Sequence, residues 1–162
     1  SGEGISGVLP KKTSHIYPTG TILQDLTYYT NSFHLPVYVN ISAFEKIELE
    51  APFHELCNGG HISYVELAEA PMANGEAIED LVEYACENNI VYFGINYPLD
   101  ECPCGYSGTF TVCPKCGRGG KDIKRLRRVS GYLSEENNMS FGKREELKHR
   151  RPNCGQVDYK GE

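Results

Sequence analysis

The sequence lacks features that would place it in several classes of protein. None of its apolar runs approaches the ~20 residues that a membrane-spanning helix needs, so we expect no membrane segment. No apolar stretch follows Ser1-Gly2-Glu3-Gly4, which argues against a secretory signal peptide. Basic residues are also in the minority, with 16 against 22 acidic ones. The resulting net charge of −6 argues against a general role in binding nucleic acid.

Apolar residues are also somewhat scarce. They make up 40% of the 162 residues, slightly little for an independent globule of one-domain length. The chain does not begin with Met. We therefore expect either one small domain or an excised piece of a longer protein.

Cysteine, by contrast, is plentiful and clustered. The chain has seven cysteines, an odd number, and four of them lie between positions 102 and 116. This pattern favours thiol or metal chemistry in a reducing, cytoplasmic compartment over a secreted disulfide framework. The string CPKCG at 113–117 is a zinc knuckle, and CPCG at 102–105 is a second one with a spacing one residue short. We predict a structural zinc ion bound by Cys102, Cys104, Cys113 and Cys116, with Asp100 open as a replacement for one of the first pair.

The first hundred residues predict α/β structure. Alternating apolar residues at 37–41 suggest a strand, and Ser42 with Glu45 forms a capping box for a helix that begins at Ala43. Pro52 is expected to interrupt this helix, with Pro52–Leu56 open as one further helical turn. Residues 62–67 and 90–95 suggest two more strands. Between them, Asn74 caps a helix whose apolar face includes Cys86. Strand, helix and strand in so short a span predict a βαβ unit with parallel strands.

The character of the chain changes after Pro98. A segment rich in Cys, Gly and Pro leads to a basic run at 121–128, which we expect to be a solvated face. Residues 129–133 suggest a strand with a bulge or turn at Gly131, and residues 143–151 suggest a short basic helix. The residues from Pro152 onward suggest a flexible tail.

Several strings in this order resemble the anaerobic (class III) ribonucleoside-triphosphate reductases. They are YTNSFHLPV at 29–37, NGGHI at 58–62, YFGIN at 92–96 and, after the cysteine ribbon, RVSGYL at 128–133. The resemblance covers residues 29–150 and corresponds to the C-terminal portion of the catalytic subunit, whose whole chain is several times longer. It implies four segments: the end of a ten-stranded α/β barrel at 1–98, a zinc ribbon at 99–120, a glycyl-radical segment at 121–151 and the tail at 152–162.

The same resemblance implies a radical chemistry centred on Gly131. In the family, an activating enzyme with an iron–sulfur cluster and S-adenosylmethionine removes a hydrogen atom from this glycine. The radical then passes to a cysteine at the barrel centre, which abstracts the ribose 3′ hydrogen of a ribonucleoside triphosphate. None of Cys57, Cys86 and Cys154 matches that cysteine, so this chain alone is expected to be inactive. The upstream portion of the reductase, nucleotide effectors and a homodimeric whole enzyme are further implied partners.

Four residues beside the family strings are candidates for the substrate cavity: Asn31, His34, Asn58 and His61. Structural roles stay open for each, as hydrogen-bonded histidines, a turn residue or a helix cap. Cys57 and Cys86 are expected to be small core residues, whereas Cys154 lies in a polar tail where a reactive thiol is conceivable. Two other functions also stay open: a zinc-ribbon binding module without catalysis, and a stand-alone glycyl-radical domain that replaces a damaged one in a partner chain.

Overall fold

The computed structural model describes Tyr28 and residues 34–71 and 74–154, except for the side chain of Ser130. These residues divide into two compact units. The βαβ unit contains residues 34–71, 74–97 and 151–154, and the ribbon unit contains Tyr28 and residues 98–150. No helix in the described ranges combines the length and the apolar character that crossing a membrane requires.

The βαβ unit confirms the predicted parallel arrangement. Its elements are α1 (Ala43–Leu56), β1 (Ser63–Glu66), α2 (Gly75–Glu87) and β2 (Phe93–Asn96). The two strands pair in parallel, with Ser63 opposite Phe93 and Glu66 opposite Asn96. The described residues thus supply two parallel strands, and the ten-stranded barrel stays a prediction.

Helix α1 begins at the predicted capping box. The Ser42 hydroxyl accepts a hydrogen bond from the Glu45 amide at 3.2 Å, and the Glu45 carboxylate accepts one from the Ser42 amide at 3.0 Å. The predicted interruption at Pro52 is wrong, because the helix continues through it to Leu56. Proline removes one amide donor from the helix. Here the helix is held on both sides of Pro52 by the burial of Ile47 and His54.

The core of the βαβ unit joins α1, β1 and α2. It consists of buried Ala43, Ile47, Val65, Leu81, Ala85 and Ile90. The predicted cap of α2 is confirmed, since the Asn74 side chain accepts a hydrogen bond from the Ala77 amide at 3.3 Å. The predicted burial of Cys86 is wrong: it lies on the exposed side of α2, because only Leu81 and Ala85 of this helix are fully buried.

Two predictions at the ends of this unit are also wrong. Residues 37–41 form no strand but contain a turn, closed by a 3.0 Å hydrogen bond from the Val39 amide to the Pro36 carbonyl. Residues 152–154, the part of the predicted tail at 152–162 that the structure describes, are not loose, and residues 155–162 lie outside the described residues. Asn153 is buried, its amide donates to the Glu66 carbonyl at 2.7 Å, and its side chain accepts from the Glu66 amide at 2.8 Å. These two hydrogen bonds attach residue 153 to the backbone of β1, and nothing in the composition of the tail predicted them.

The ribbon unit is a four-stranded antiparallel sheet followed by a helix. Its elements are β3 (Leu99–Glu101), β4 (Ser107–Gly108), β5 (Lys124–Ser130), β6 (Tyr132–Glu135) and α3 (Phe141–His149), with the spatial strand order β4-β3-β5-β6. The predicted turn at Gly131 and the predicted basic helix are confirmed, although the helix starts two residues earlier. A register shift between Arg128 and Ser130 marks a bulge beside the turn.

Part of the basic run is not the solvated face that we expected. Within β5, Arg127 donates to Asp100 at 2.8 Å, and Arg125 lies 3.5 Å from the same carboxylate oxygen. Asp100 on the neighbouring strand is only 1% exposed, and it also accepts the Phe110 amide at 3.0 Å. The two arginines therefore compensate a buried carboxylate that a charge count along the sequence does not reveal.

Candidate functional site

The four clustered cysteines come together in the ribbon unit. Cys102 Sγ lies 3.5 Å from Cys116 Sγ, and Cys104 Sγ lies 3.6 Å from Cys113 Sγ. All four sulfur atoms lie within 4.8 Å of one another. Sulfurs bound tetrahedrally to zinc at about 2.3 Å would be roughly 3.8 Å apart, so this cluster fits a structural zinc ion.

Backbone hydrogen bonds shape both knuckles in spite of their different spacing. The Gly105 amide donates to the Cys102 carbonyl and the Gly117 amide donates to the Cys113 carbonyl, each at 2.9 Å. Both glycines have positive φ angles, +85° and +74°. The left-handed glycine lets the chain fold back behind each cysteine pair. The short spacing at 102–105 therefore still yields a knuckle that presents two sulfurs.

The thiols of the cluster differ in their affinity for protons. Burial disfavours the Cys113 thiolate, but hydrogen bonds from the backbone amides of Cys116 and Lys115 outweigh it and lower the pKa of Cys113 to about 7. The Cys104 amide favours the Cys102 thiolate, yet burial and hydrogen bonds shared with the other sulfurs raise the pKa of Cys102 to about 12. Four crowded sulfurs cannot all ionise without a cation, and a zinc ion would supply that charge.

Asp100, the alternative ligand, is occupied by other partners. Its carboxylate binds Arg127 and the Phe110 amide, and it does not belong to the cysteine cluster. The geometry therefore favours a four-cysteine site over a mixed one.

Gly131 forms the tight connection between β5 and β6. Its φ angle is +48°, and the residue is exposed in the described structure. Arg128 Nη2 donates a hydrogen bond to the Gly131 carbonyl oxygen at 3.2 Å. Next to it, Tyr132 receives a hydrogen bond on its hydroxyl from Lys143 Nζ at 2.6 Å. The same ammonium lies 4.3 Å from the centre of the Tyr132 ring, so both flanks of Gly131 are held by cationic side chains.

A second group of polar side chains lies in the βαβ unit, around His61. The rings of His34 and His61 stack with their centroids 4.8 Å apart, and the His54 ring meets His61 edge-on at 4.6 Å. Glu50 of α1 is fully buried beside them, with its Oε1 atom 3.8 Å from His34 Nδ1. The structure thus brings two candidate residues together, His34 and His61, and adds a carboxylate.

The environment of this group favours a charged Glu50 and neutral rings at His54 and His61. Burial alone would raise the pKa of Glu50, but His34, the charge of Lys46 and the Leu35 amide together hold it below its ordinary value. Burial is the main cause that lowers the pKa of His61 and of His54. The imidazole of His61 therefore keeps a free lone pair near neutral pH.

The other candidates are dispersed. Asn58 lies in an exposed turn after α1, and Asn31 lies outside the described residues. Cys57 is half-buried, and Cys154 is exposed with its thiol 3.7 Å from the Pro152 carbonyl. Sequence reasoning missed Glu50, although a signal existed: it follows Ile47 by three residues and therefore lies on the buried face of α1.

Comparison with known proteins places these features in one family. The family model described as "Anaerobic ribonucleoside-triphosphate reductase" matches residues 2–152. The anaerobic ribonucleoside-triphosphate reductase of Enterobacteria phage T4 is 43% identical over 136 residues, which are 78% of this chain and 22% of that protein. The enzyme of Escherichia coli (strain K12) is 40% identical over 141 residues, which are 81% of this chain and 20% of that protein.

Solved structures show the same fold. One named "Anaerobic ribonucleotide reductase" superimposes with a TM-score of 0.74 at 21% identity, covering 94% of this chain and 24% of that chain. The anaerobic ribonucleotide reductase from Thermotoga maritima with glycerol in the active site gives 0.65 at 19% identity, covering 93% and 22%. The chain belongs to the anaerobic ribonucleoside-triphosphate reductase family. It corresponds to a C-terminal portion of such an oxidoreductase and spans about a fifth of the length of the curated relatives it matches.

Proposed function

We propose that this chain stores the glycyl radical of an anaerobic ribonucleoside-triphosphate reductase, on the Cα atom of Gly131. One observation carries the proposal: in this member of the family, Gly131 joins β5 to β6, and the Gly131 carbonyl accepts a hydrogen bond from Arg128. The radical would serve the reduction of ribonucleotides to deoxyribonucleotides by the whole enzyme.

Glycine suits this role for a physical reason. Loss of one hydrogen atom leaves a Cα radical that is delocalised over the adjacent amide nitrogen and carbonyl only when the centre flattens. Glycine has no Cβ to oppose that change or to block approach to the hydrogen. The left-handed φ angle of Gly131 is also a conformation that other residues adopt reluctantly. In this proposal, Arg128 fixes the orientation of the Gly131 carbonyl, over which the unpaired electron is delocalised.

The hairpin formed by β5, Gly131 and β6 is exposed, which supports the proposal that it belongs to a larger enzyme. Tyr132 and Leu133, next to Gly131, are 58% and 55% exposed. A stored radical must be shielded from oxygen. We infer that the rest of the reductase, including a ten-stranded barrel to which β1 and β2 belong, covers this hairpin and supplies the cysteine that attacks the nucleotide.

The cysteine cluster has a structural part in the proposal. A zinc ion bound by Cys102, Cys104, Cys113 and Cys116 would leave no position for a substrate, so its contribution is to fold the segment that leads into β5. The proposed partner is a radical-activating enzyme that depends on S-adenosylmethionine and an iron–sulfur cluster, and the proposed compartment of the chain is the cytoplasm. Asn31, His34, Asn58 and His61 remain candidates for the walls of the nucleotide cavity.

The test is anaerobic electron paramagnetic resonance of the whole protein after incubation with the activating enzyme. A radical on Gly131 retains one α-hydrogen, so the expected signal is a doublet that collapses when the glycine is labelled with deuterium. Gly131→Ala should abolish the signal. Its matched control is Gly120→Ala, since Gly120 has a similar φ of +63° and open space around its Cα. A doublet that persists in Gly131→Ala, or is lost equally in both variants, would overturn the proposal.

A further inference from the structure

We propose that His34, Glu50 and His61 form a second metal site, which binds a divalent first-row transition metal ion such as Zn²⁺ or Fe²⁺. The site lies wholly in the βαβ unit, and it uses none of the cysteines. It does not rest on the radical role of Gly131. If it is correct, two of the proposed cavity histidines hold an ion rather than contact a nucleotide directly.

The first support is the convergence of three ligand atoms of the right chemical kind. One donor atom from each side chain can be chosen so that all three lie within 4.8 Å of one another. Ligands bound tetrahedrally to zinc at about 2.1 Å are roughly 3.4 Å apart, so the three atoms need only a small closure. The His34 side chain is 22% exposed, which leaves it free to make that movement and gives an ion a path from solvent.

The second support is a pair of buried polar atoms that lack partners. Among the described residues, neither Glu50 Oε2 nor His61 Nε2 has a hydrogen-bond partner. Glu50 is 0% exposed and His61 is 5% exposed. Buried polar atoms are almost always paired, because burial without a partner is costly. A cation bound between them would satisfy both atoms at once.

The third support is the charge of the buried carboxylate. Lys46 precedes Glu50 by one helical turn on α1, and its Nζ donates a hydrogen bond to the Tyr64 carbonyl at 2.5 Å. Glu50 Oε1 accepts a hydrogen bond from the Leu35 amide at 3.0 Å, and the side chains of His34 and Ser63 also stabilise the carboxylate. A metal ion would place positive charge next to the Oε2 atom of Glu50.

His54 differs from the other two histidines and provides a control. Its Nδ1 accepts the Val91 amide at 3.3 Å, so its Nε2 carries the proton and donates to the Ser63 hydroxyl at 3.0 Å. Both ring nitrogens are thereby used, and neither is available to an ion. Although His54 touches His61, it is a structural residue.

The donor set determines the class of ion. Two imidazoles with one carboxylate suit zinc or iron(II), whereas magnesium and calcium prefer oxygen ligands alone. The open positions that three protein ligands leave would be filled by water or by another ligand. The absence of sulfur also separates this site spectroscopically from the cysteine cluster.

The test is titration of the metal-stripped whole protein with Co²⁺, followed by absorption spectroscopy and metal analysis. The wild-type protein should bind one equivalent with an intense thiolate-to-cobalt charge-transfer band and a second equivalent with weak visible bands alone. His61→Gln should lose the second equivalent and keep the first. The control His54→Gln, which retains a hydrogen-bonding amide, should keep both.

Two results would overturn the proposal. One is a wild-type protein that binds only the thiolate-type equivalent. The other is a second equivalent that persists unchanged in His61→Gln. If His61→Gln fails to fold, as circular dichroism would reveal, His34→Gln decides the question in the same way, since His34 lies at the partly exposed edge of the cluster and its replacement leaves the core intact.

Discussion

Arg128 and Gly131 are joined by a hydrogen bond from the guanidinium Nη2 atom to the glycine carbonyl oxygen, 3.2 Å long. The donor belongs to β5 and the acceptor is the residue that turns the chain into β6. The contact spans the bulge at Val129 and fixes the plane of the peptide that follows the Gly131 Cα atom. A radical on the Gly131 Cα atom would depend on this orientation, because its delocalisation requires the adjacent peptide to be coplanar with the radical centre.

Replacement of Arg128 by alanine should therefore weaken the radical without unfolding the ribbon unit. An exposed hydrogen bond of this kind is worth about 1 kcal/mol, so we expect the doublet intensity after activation to fall about fivefold. The matched control is Arg144→Ala on the exposed side of α3. Equal radical yields in wild type and Arg128→Ala would mean that this contact plays no part in holding the radical.

Asp100→Asn should destabilise the ribbon unit by about 3 kcal/mol, because it leaves Arg127 facing a buried neutral group. The measurement is the free energy of unfolding from a denaturant titration. Glu101→Gln is the control on the next residue. The pair of Glu101 with Lys124 is 3.4 Å long and about half exposed, so its loss should cost no more than about 0.5 kcal/mol. Similar losses in both variants would contradict the role assigned to Asp100.

Cys104→Ser should remove one zinc ion per chain, because the short knuckle supplies two ligands in spite of its spacing. Metal analysis of the whole protein measures this loss, and hydrogen exchange at the Cys113 amide should accelerate as the ribbon unit loosens. Cys86→Ser, on the exposed side of α2, should retain all of the metal. An unchanged zinc content in Cys104→Ser would place the fourth ligand elsewhere.

The capping box of α1 should give a pH-dependent contribution to stability. Hydrogen bonds from the Ser42 side chain and then from its backbone amide lower the pKa of Glu45 in the folded protein. The benefit is therefore present above the ordinary pKa of 4.5 and is lost as the pH falls through the lowered value. The difference in unfolding free energy between wild type and Glu45→Gln should be greatest at neutral pH and vanish in acid.

Ser42→Ala tests the other half of the box. It should cost about 1 kcal/mol at neutral pH, as the loss of a helix cap usually does. A Glu45→Gln difference that does not change between neutral and acidic pH would show that the charge of Glu45 is irrelevant to the cap.

Local signals predicted the elements well, because their causes lie within a few residues. The capping box at Ser42, the Asn74 cap and the turn at Gly131 all act through hydrogen bonds or dihedral angles close in sequence. The cysteine cluster was also predictable, since its spacing restricts how the sulfurs can meet. Residues 37–41 misled the prediction, because alternating apolar residues there lack a neighbouring strand to pair with among the described residues.

What the sequence did not reveal depends on contacts between distant residues. Asp100 and Arg127 are 27 residues apart, and the pairing of Asn153 with Glu66 spans 87. The grouping of Glu50 with His34 and His61 likewise requires α1 to pack against β1. No local sequence pattern predicts which of these distant polar residues will be in contact with each other.

The most direct test of the radical assignment is the position at which oxygen cuts the activated protein. Oxygen adds to a backbone radical on Cα and leads to cleavage at that residue, so mass spectrometry should find a fragment that ends at or next to Ser130 and a second that contains Tyr132. The cut should be absent without the activating enzyme and absent in Gly131→Ala, and it should persist in Gly120→Ala. Cleavage at any other residue, or an identical cut in Gly131→Ala, would contradict the assignment.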